Sequence, residues 1–219
     1  GLGQRLKREL IPSGILVNVE ADSLNAAILG PDIEPGDDVW DLFIRDVFRD
    51  MTQKTGQKCT AIRRILVPEA LADEVAEALI DTASRLKIGN PESGEARMGP
   101  VVSKQQLDDV TEGIARLKGS VEQIYGSGRP KTLIDVDSDR GYFVDVHLFK
   151  AKDHAASLAA DAVHAHEVFG PAATILPYDG TAAGATAIVA KGQGGLVSTV
   201  YSDDRRFQKE LVLSIAPYH

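Results

Sequence analysis

The sequence predicts an α/β fold of three layers, with a mostly parallel twisted sheet between helices. Two observations carry that prediction. Short apolar or β-branched runs alternate along the chain with longer segments of helical period, which is the pattern of layered α/β proteins. The composition also suits a buried sheet: 43% of the 219 residues are hydrophobic and 26% are charged, as in a globular protein with a real core.

The elements can be taken in order. Leu2, Leu6 and Leu10 recur every four residues and mark a helix. Residues 15–19 are a β-branched run behind Pro12, Ser13 and Gly14 and read as a strand; residues 26–29 read as a second, closed by Gly30 and Pro31. Asp37 and Asp38 offer an N-cap. From residue 39 to about 55, Trp40, Phe43, Ile44, Val47, Phe48 and Met51 recur at spacings of three and four, one buried face of a helix. Gly56 suits the left-handed residue that ends it. Residues 62–67 read as a strand stopped by Pro68, and 69–86 as a helix broken by Gly89, Asn90 and Pro91. Residues 103–118 form a third such helix, with Ser103 as its cap. Strands follow at 121–125, 142–149, 173–176 and 196–201, a small-residue helix at 181–190, and a last helix from Asp203.

Charge and cysteine content exclude several functions. The net charge is −8, from 24 basic and 32 acidic residues, and the basic residues are scattered. A nucleic-acid backbone as main partner needs the opposite. One cysteine allows no internal disulfide and fits a reducing, cytoplasmic compartment. No apolar run approaches the ~18 residues of a membrane span. Arg5, Lys7 and Arg8 lead into a mixed segment, not the apolar core of a secretory signal. The chain opens on Gly-Leu-Gly without Met and closes on an apolar run, and so is expected to be part of a longer polypeptide.

Cys59 is the residue with most chemistry to offer. By itself a lone cysteine fits either a buried small hydrophobe or a nucleophile. Its setting, Gly56-Gln57-Lys58-Cys59-Thr60, is a polar loop between a helix and a strand, where active residues are commonly carried. Lys58, Arg63 and Arg64 lie near in sequence; they could lower the thiol pKa or simply form a solvated surface. His164 and His166 are two potential metal ligands where a site needs three or four, so no metal is expected.

Three segments resemble the aldehyde dehydrogenase superfamily. Residues 51–68, with Gly56-Gln57-Lys58-Cys59 leading into a strand that ends at Pro68, resemble its active-site segment. Residues 17–25, Val-Asn-Val-Glu20-Ala-Asp-Ser-Leu-Asn25, are similar to the segment around its catalytic glutamate, and His166-Glu167-Val168-Phe169-Gly170-Pro171 resembles its Glu-x-Phe-Gly-Pro motif. The three occur in the family's order. Where most members carry Glu-Leu-Gly-Gly-Lys, this chain has Glu20-Ala21-Asp22-Ser23-Leu24-Asn25. That departure is similar to the aldehyde dehydrogenase part of bifunctional ring-opening enzymes of aerobic phenylacetate breakdown, whose substrates are semialdehydes carried on coenzyme A.

The resemblance implies an aldehyde dehydrogenase-like catalytic domain over residues 20–219, preceded at 1–19 by the tail of a cofactor-binding domain. It implies NAD or NADP as cofactor and a homo-oligomeric parent. Cys59 is implied as the nucleophile that forms a thiohemiacetal and then a thioester, its backbone N–H as one oxyanion donor, and Glu20 as the base that activates water for hydrolysis. Glu167 is implied to hold the nicotinamide ribose hydroxyls and Phe169 to pack beside the ring. Without the resemblance, Glu20 reads as a strand-end carboxylate, and Glu167 and Phe169 as a turn and a core filler. The family's second oxyanion donor and its adenosine contacts lie upstream, so the 219 residues alone are expected to be inactive. Two rival readings stand beside this one: a cysteine hydrolase or acyltransferase using Cys59 with His164 or His166, and a non-catalytic α/β binding module in which Cys59 is buried.

Overall fold

The computed structural model describes every residue except Gly1, residues 20–22, Ser138, Asp139, Gln193 and His219, and leaves the side chains of Leu2 and Gln4 undescribed. Among the described residues a six-stranded sheet runs β3-β4-β5-β2-β1-β6. The strands are β1 (Asn25–Leu29), β2 (Ile62–Pro68), β3 (Glu122–Tyr125), β4 (His147–Lys150), β5 (Ala172–Tyr178) and β6 (Ser198–Tyr201). Every neighbouring pair is parallel except β3 with β4 at one edge.

The parallel strands are covered on both faces, which is why β1, β2 and β5 are buried at every position rather than at alternate ones. Along β1, Ala26 and Ile28 face one layer and Ala27 and Leu29 the other. The first layer comprises α4 (Lys104–Lys118), the short α5 (His154–Ala159) and α6 (Asp161–Ala165), α7 (Ala182–Lys191) and α8 (Arg205–Ile215), through Val110, Val163, Ile188 and Leu211. The second comprises α2 (Asp38–Thr52) and α3 (Ala72–Ser84), through Phe43, Val47, Val75 and Leu79. Residues 2–10 form α1 (Leu2–Leu10). Ser103 caps α4 by accepting from the Gln106 N–H, and Thr181 caps α7 by accepting from the Gly184 N–H.

Two expectations need correction, and two short helices are additional. Residues 15–19 form no strand: Ile15 is 53% and Leu16 100% exposed, and a β-branched run with no strand to pair against has nothing to hold it extended. The strand expected over 142–149 begins only at His147, because β5, its parallel partner, pairs first at Ala172 opposite His147. Upstream, Tyr142 and Asp145 bond to loops instead, through Val101 N–H to Tyr142 O and Asp145 N–H to Gly128 O. Helices α5 and α6 were not expected; their small residues carry little apolar periodicity, and α5 is started by Asp153, whose carboxylate accepts from the Ala156 N–H.

Candidate active site

Parallel pairing places the residues that enter β1, β2, β5 and β6 at one edge of the sheet. Asn25 lies opposite Ile62, Arg64 opposite Thr174, and Ala26 opposite Ser198. The loop carrying Cys59, the segment leading into Asn25 and the turn around Glu167 therefore meet at the amino ends of the strands. Open α/β sheets usually bind ligands at the carboxyl ends; the candidate site here is at the opposite edge.

Cys59 is exposed on this edge, as a free thiol. Its loop leaves α2 through Lys54 and Thr55, both with positive φ, and then Gly56 at φ 70. A Cβ on Gly56 would lie 2.1 Å from the Gly170 carbonyl oxygen, so only glycine allows the cysteine loop to approach the turn before β5 this closely. Thr55 anchors the loop from the other side, donating its hydroxyl to Gly99 O at 3.0 Å.

Asn25, fully buried at the head of β1, ties three segments together. Its Nδ2 donates to Cys59 O and Ala61 O, both at 2.9 Å. Its Oδ1 accepts from Leu196 N at 3.0 Å, from Val197 N at 2.9 Å and from the Ser23 hydroxyl at 2.7 Å. Ser23 in turn donates its backbone N–H to Glu167 Oε2 at 3.2 Å, which joins the segment behind Glu20 to the Glu167 turn.

Arg63 makes the other connection. Its side chain is 4% exposed, and its Nη2 donates to Gly56 O at 2.7 Å while its Nη1 donates to Gly170 O at 2.8 Å. Its Nε forms an ion pair at 3.5 Å with Glu167 Oε1, and the guanidinium lies over the Phe169 ring, 5.7 Å from the centroid. Burial pulls the Arg63 pKa down, and the Glu167 charge works against that. Phe169 is half-buried, with its carbonyl held by Gln106 Nε2 at 2.9 Å.

The cations near Cys59 in sequence are neither a solvated surface nor a thiol-directed cluster. Arg64 is buried, and donates to Leu24 O at 2.6 and 3.0 Å and to Ile188 O and Val189 O at the end of α7; burial alone pushes its pKa down to about 10. Lys58 pairs with Asp50. His164 is equally occupied: its ring is buried, Nε2 meets Ser157 O at 2.7 Å, and Nδ1 has no hydrogen-bond partner, so it makes no dyad with Cys59. His166 is exposed. Among the described residues no three His, Cys, Asp or Glu are grouped to hold a metal, and no helix is long and apolar enough to cross a membrane.

Residues 5–215 match the model of the aldehyde dehydrogenase family. The chain belongs to that family. A 3,4-dehydroadipyl-CoA semialdehyde dehydrogenase of Aromatoleum evansii is 43% identical over 215 residues, which is 98% of this chain and 41% of that protein. The fold is that of solved aldehyde dehydrogenases. A Staphylococcus aureus betaine aldehyde dehydrogenase in complex with NAD+ superposes with a TM-score of 0.84 at 23% identity, over 98% of this chain and 40% of its own. An aldehyde dehydrogenase from Bartonella henselae does so with a TM-score of 0.81 at 23% identity, over 97% of this chain and 42% of its own. The chain thus spans about two fifths of the length of the relatives it matches.

Within this family member, the structure brings together Cys59, Glu167 and Phe169, three of the four residues singled out in the sequence. Glu20, the fourth, lies outside the described residues. Ser23 and Asn25 stood out only as part of the resembling segment, and Arg63 only as a cation near the thiol. Two signals point to them: an asparagine heading an otherwise apolar strand, and two arginines inside a strand that is buried throughout.

Proposed function

We propose that these residues are the catalytic part of an NAD(P)-dependent aldehyde dehydrogenase whose substrate is a semialdehyde carried on coenzyme A. Residues 20–219 are read as the catalytic domain and 1–19 as the tail of the cofactor-binding domain. The observation that carries the reading is the exposed Cys59, held through its own carbonyl by buried Asn25 beside the Glu167–Gly170 turn. The coenzyme A part rests on the Aromatoleum evansii relative, named for such a substrate.

In this reading the Cys59 thiolate adds to the aldehyde carbon, and the oxygen of the thiohemiacetal is met by the Cys59 backbone N–H. Glu167 and Phe169 suit the nicotinamide end of the cofactor. A carboxylate has about four lone-pair sites, so Glu167 can accept from ribose hydroxyls while keeping Ser23 N–H and facing Arg63. Phe169 offers the edge and face of a ring that Arg63 already orients. When bound, the nicotinamide supplies the hydride acceptor. Cys59 then carries the acyl group as a thioester, and Glu20 takes the proton from the water that cleaves it.

The test is nicotinamide reduction by the full-length protein that carries these residues, with free aldehydes against a coenzyme A-linked semialdehyde. The reading expects kcat/KM to favour the thioester-linked substrate; equal rates would withdraw the coenzyme A assignment. The 219 residues alone are expected to reduce no nucleotide, since the adenosine contacts implied by the family fall outside them.

A further inference from the structure

Arg63 does more than fill β2. A guanidinium inside a fully buried strand is costly unless it is partnered, and its hydrogen bonds, ion pair and ring contact all go to the candidate site: Gly56, Gly170, Glu167 and Phe169. Gly56 stands three residues before the nucleophile. Arg64, next along the same strand, is the contrast. Its partners are Leu24 O and the last carbonyls of α7, with no carboxylate among them, so its role is structural.

The geometry needs an arginine. One planar guanidinium donates to the carbonyls of Gly56 and Gly170, turns its Nε edge to the Glu167 carboxylate, and rests its face on an aromatic ring. A lysine ammonium is a single point that cannot span Gly56 O and Gly170 O while facing Glu167. One rigid group therefore sets the spacing between the loop of Cys59 and the turn of Glu167 and Phe169.

We propose that Arg63 is a positioning residue for nicotinamide nucleotide binding: it holds the carboxylate of Glu167 and the ring of Phe169 in place relative to the Cys59 loop, and acts on the nucleotide through Glu167. This deepens the reading above and rests on it.

The test is equilibrium binding of NADH and of NADPH to the full-length protein, followed by nucleotide fluorescence. Wild type, Arg63→Lys, Glu167→Gln and the double variant form a cycle, with melting temperatures recorded alongside. Arg63→Lys is expected to raise Kd about tenfold on the wild-type background and by less than about twofold on the Glu167→Gln background, because its route to the nucleotide is then gone. A purely structural arginine would lower the melting temperature and leave Kd alone. An unchanged Kd, or the same factor on both backgrounds, overturns the proposal. If Arg63→Lys shows no melting transition, Arg63→Gln, which keeps a planar donor without charge, takes its place in the cycle with the same two outcomes. Wild type binding neither nucleotide would instead overturn the cofactor reading itself, a result the cycle keeps separate from failure of Arg63 alone.

Discussion

Asn25 Nδ2 donates to the carbonyl of Cys59 at 2.9 Å, from a side chain that is fully buried. The bond fixes the peptide plane that leaves the candidate nucleophile, and it connects β1 to the loop before β2. The amide has only one orientation that works: its nitrogen faces two carbonyls and its oxygen faces two N–H groups and a hydroxyl.

Asn25→Asp removes that donation and sets a carboxylate oxygen against the two carbonyls, while the other oxygen keeps its three donors. Each buried acceptor left unmet costs about 1–3 kcal/mol, so stability is expected to fall by roughly 3 kcal/mol. Turnover by the full-length enzyme should fall by about a hundredfold through misplacement of the cysteine. Urea unfolding and steady-state kinetics check the two; a variant with wild-type turnover would remove Asn25 from the positioning of Cys59.

Gly56 sets how closely the cysteine loop approaches β5. Alanine there combines a φ of 70 with a Cβ 2.1 Å from a backbone oxygen. A non-glycine residue in the left-handed region costs about 1–2 kcal/mol before any clash, and the neighbour is main chain that cannot swing aside. Gly56→Ala is expected to lose more than about 2 kcal/mol and to loosen the Arg63 contact with Gly56 O. Thermal unfolding measures it, and an unshifted melting temperature would show that the loop has slack the structure does not display.

Two histidines give a pH dependence. Burial lowers the pKa of His164 and of His147 from 6.5. In each case the unfolded chain binds the proton first as pH falls through 6.5, so the stability contributed by the neutral ring is present above that pH and is lost below it. Unfolding free energy should therefore fall between pH 7 and 5.5, by at most about 1.4 kcal/mol per pH unit for each histidine. The carboxylates with lowered pKa, Asp32, Asp179 and Glu95, start from 3.8 or 4.5 and act below this window. Denaturant titrations at several pH values test it; stability that stays flat between pH 7 and 5.5 would mean that the rings titrate alike in the folded and unfolded chain.

Much of the fold was legible because it follows local patterns. The face of Phe43, Val47 and Met51 on α2, the cap at Ser103 and the buried run of β2 can each be read within one segment. Residues 15–19 could not be judged that way, since a strand exists only with a partner. The same limit applied to the site. Cys59, Glu167 and Phe169 stand out as residue types in a resembling pattern, whereas Asn25 and Arg63 matter for what they reach across 34 and 107 positions, and those distances exist only after folding. Arg63 and Arg64 look alike in sequence and differ in role because their neighbours along β2 point to opposite helical layers.

Cys59 is proposed as the nucleophile and Glu20 as the base that releases the acyl group. The most direct measurement is rapid-mixing kinetics of reduced nucleotide formation by the full-length enzyme, wild type against Cys59→Ala and Glu20→Gln. Cys59→Ala is expected to form no reduced nucleotide, and Glu20→Gln to give a burst of about one equivalent per site followed by slow turnover. Wild-type rates in both variants would contradict it.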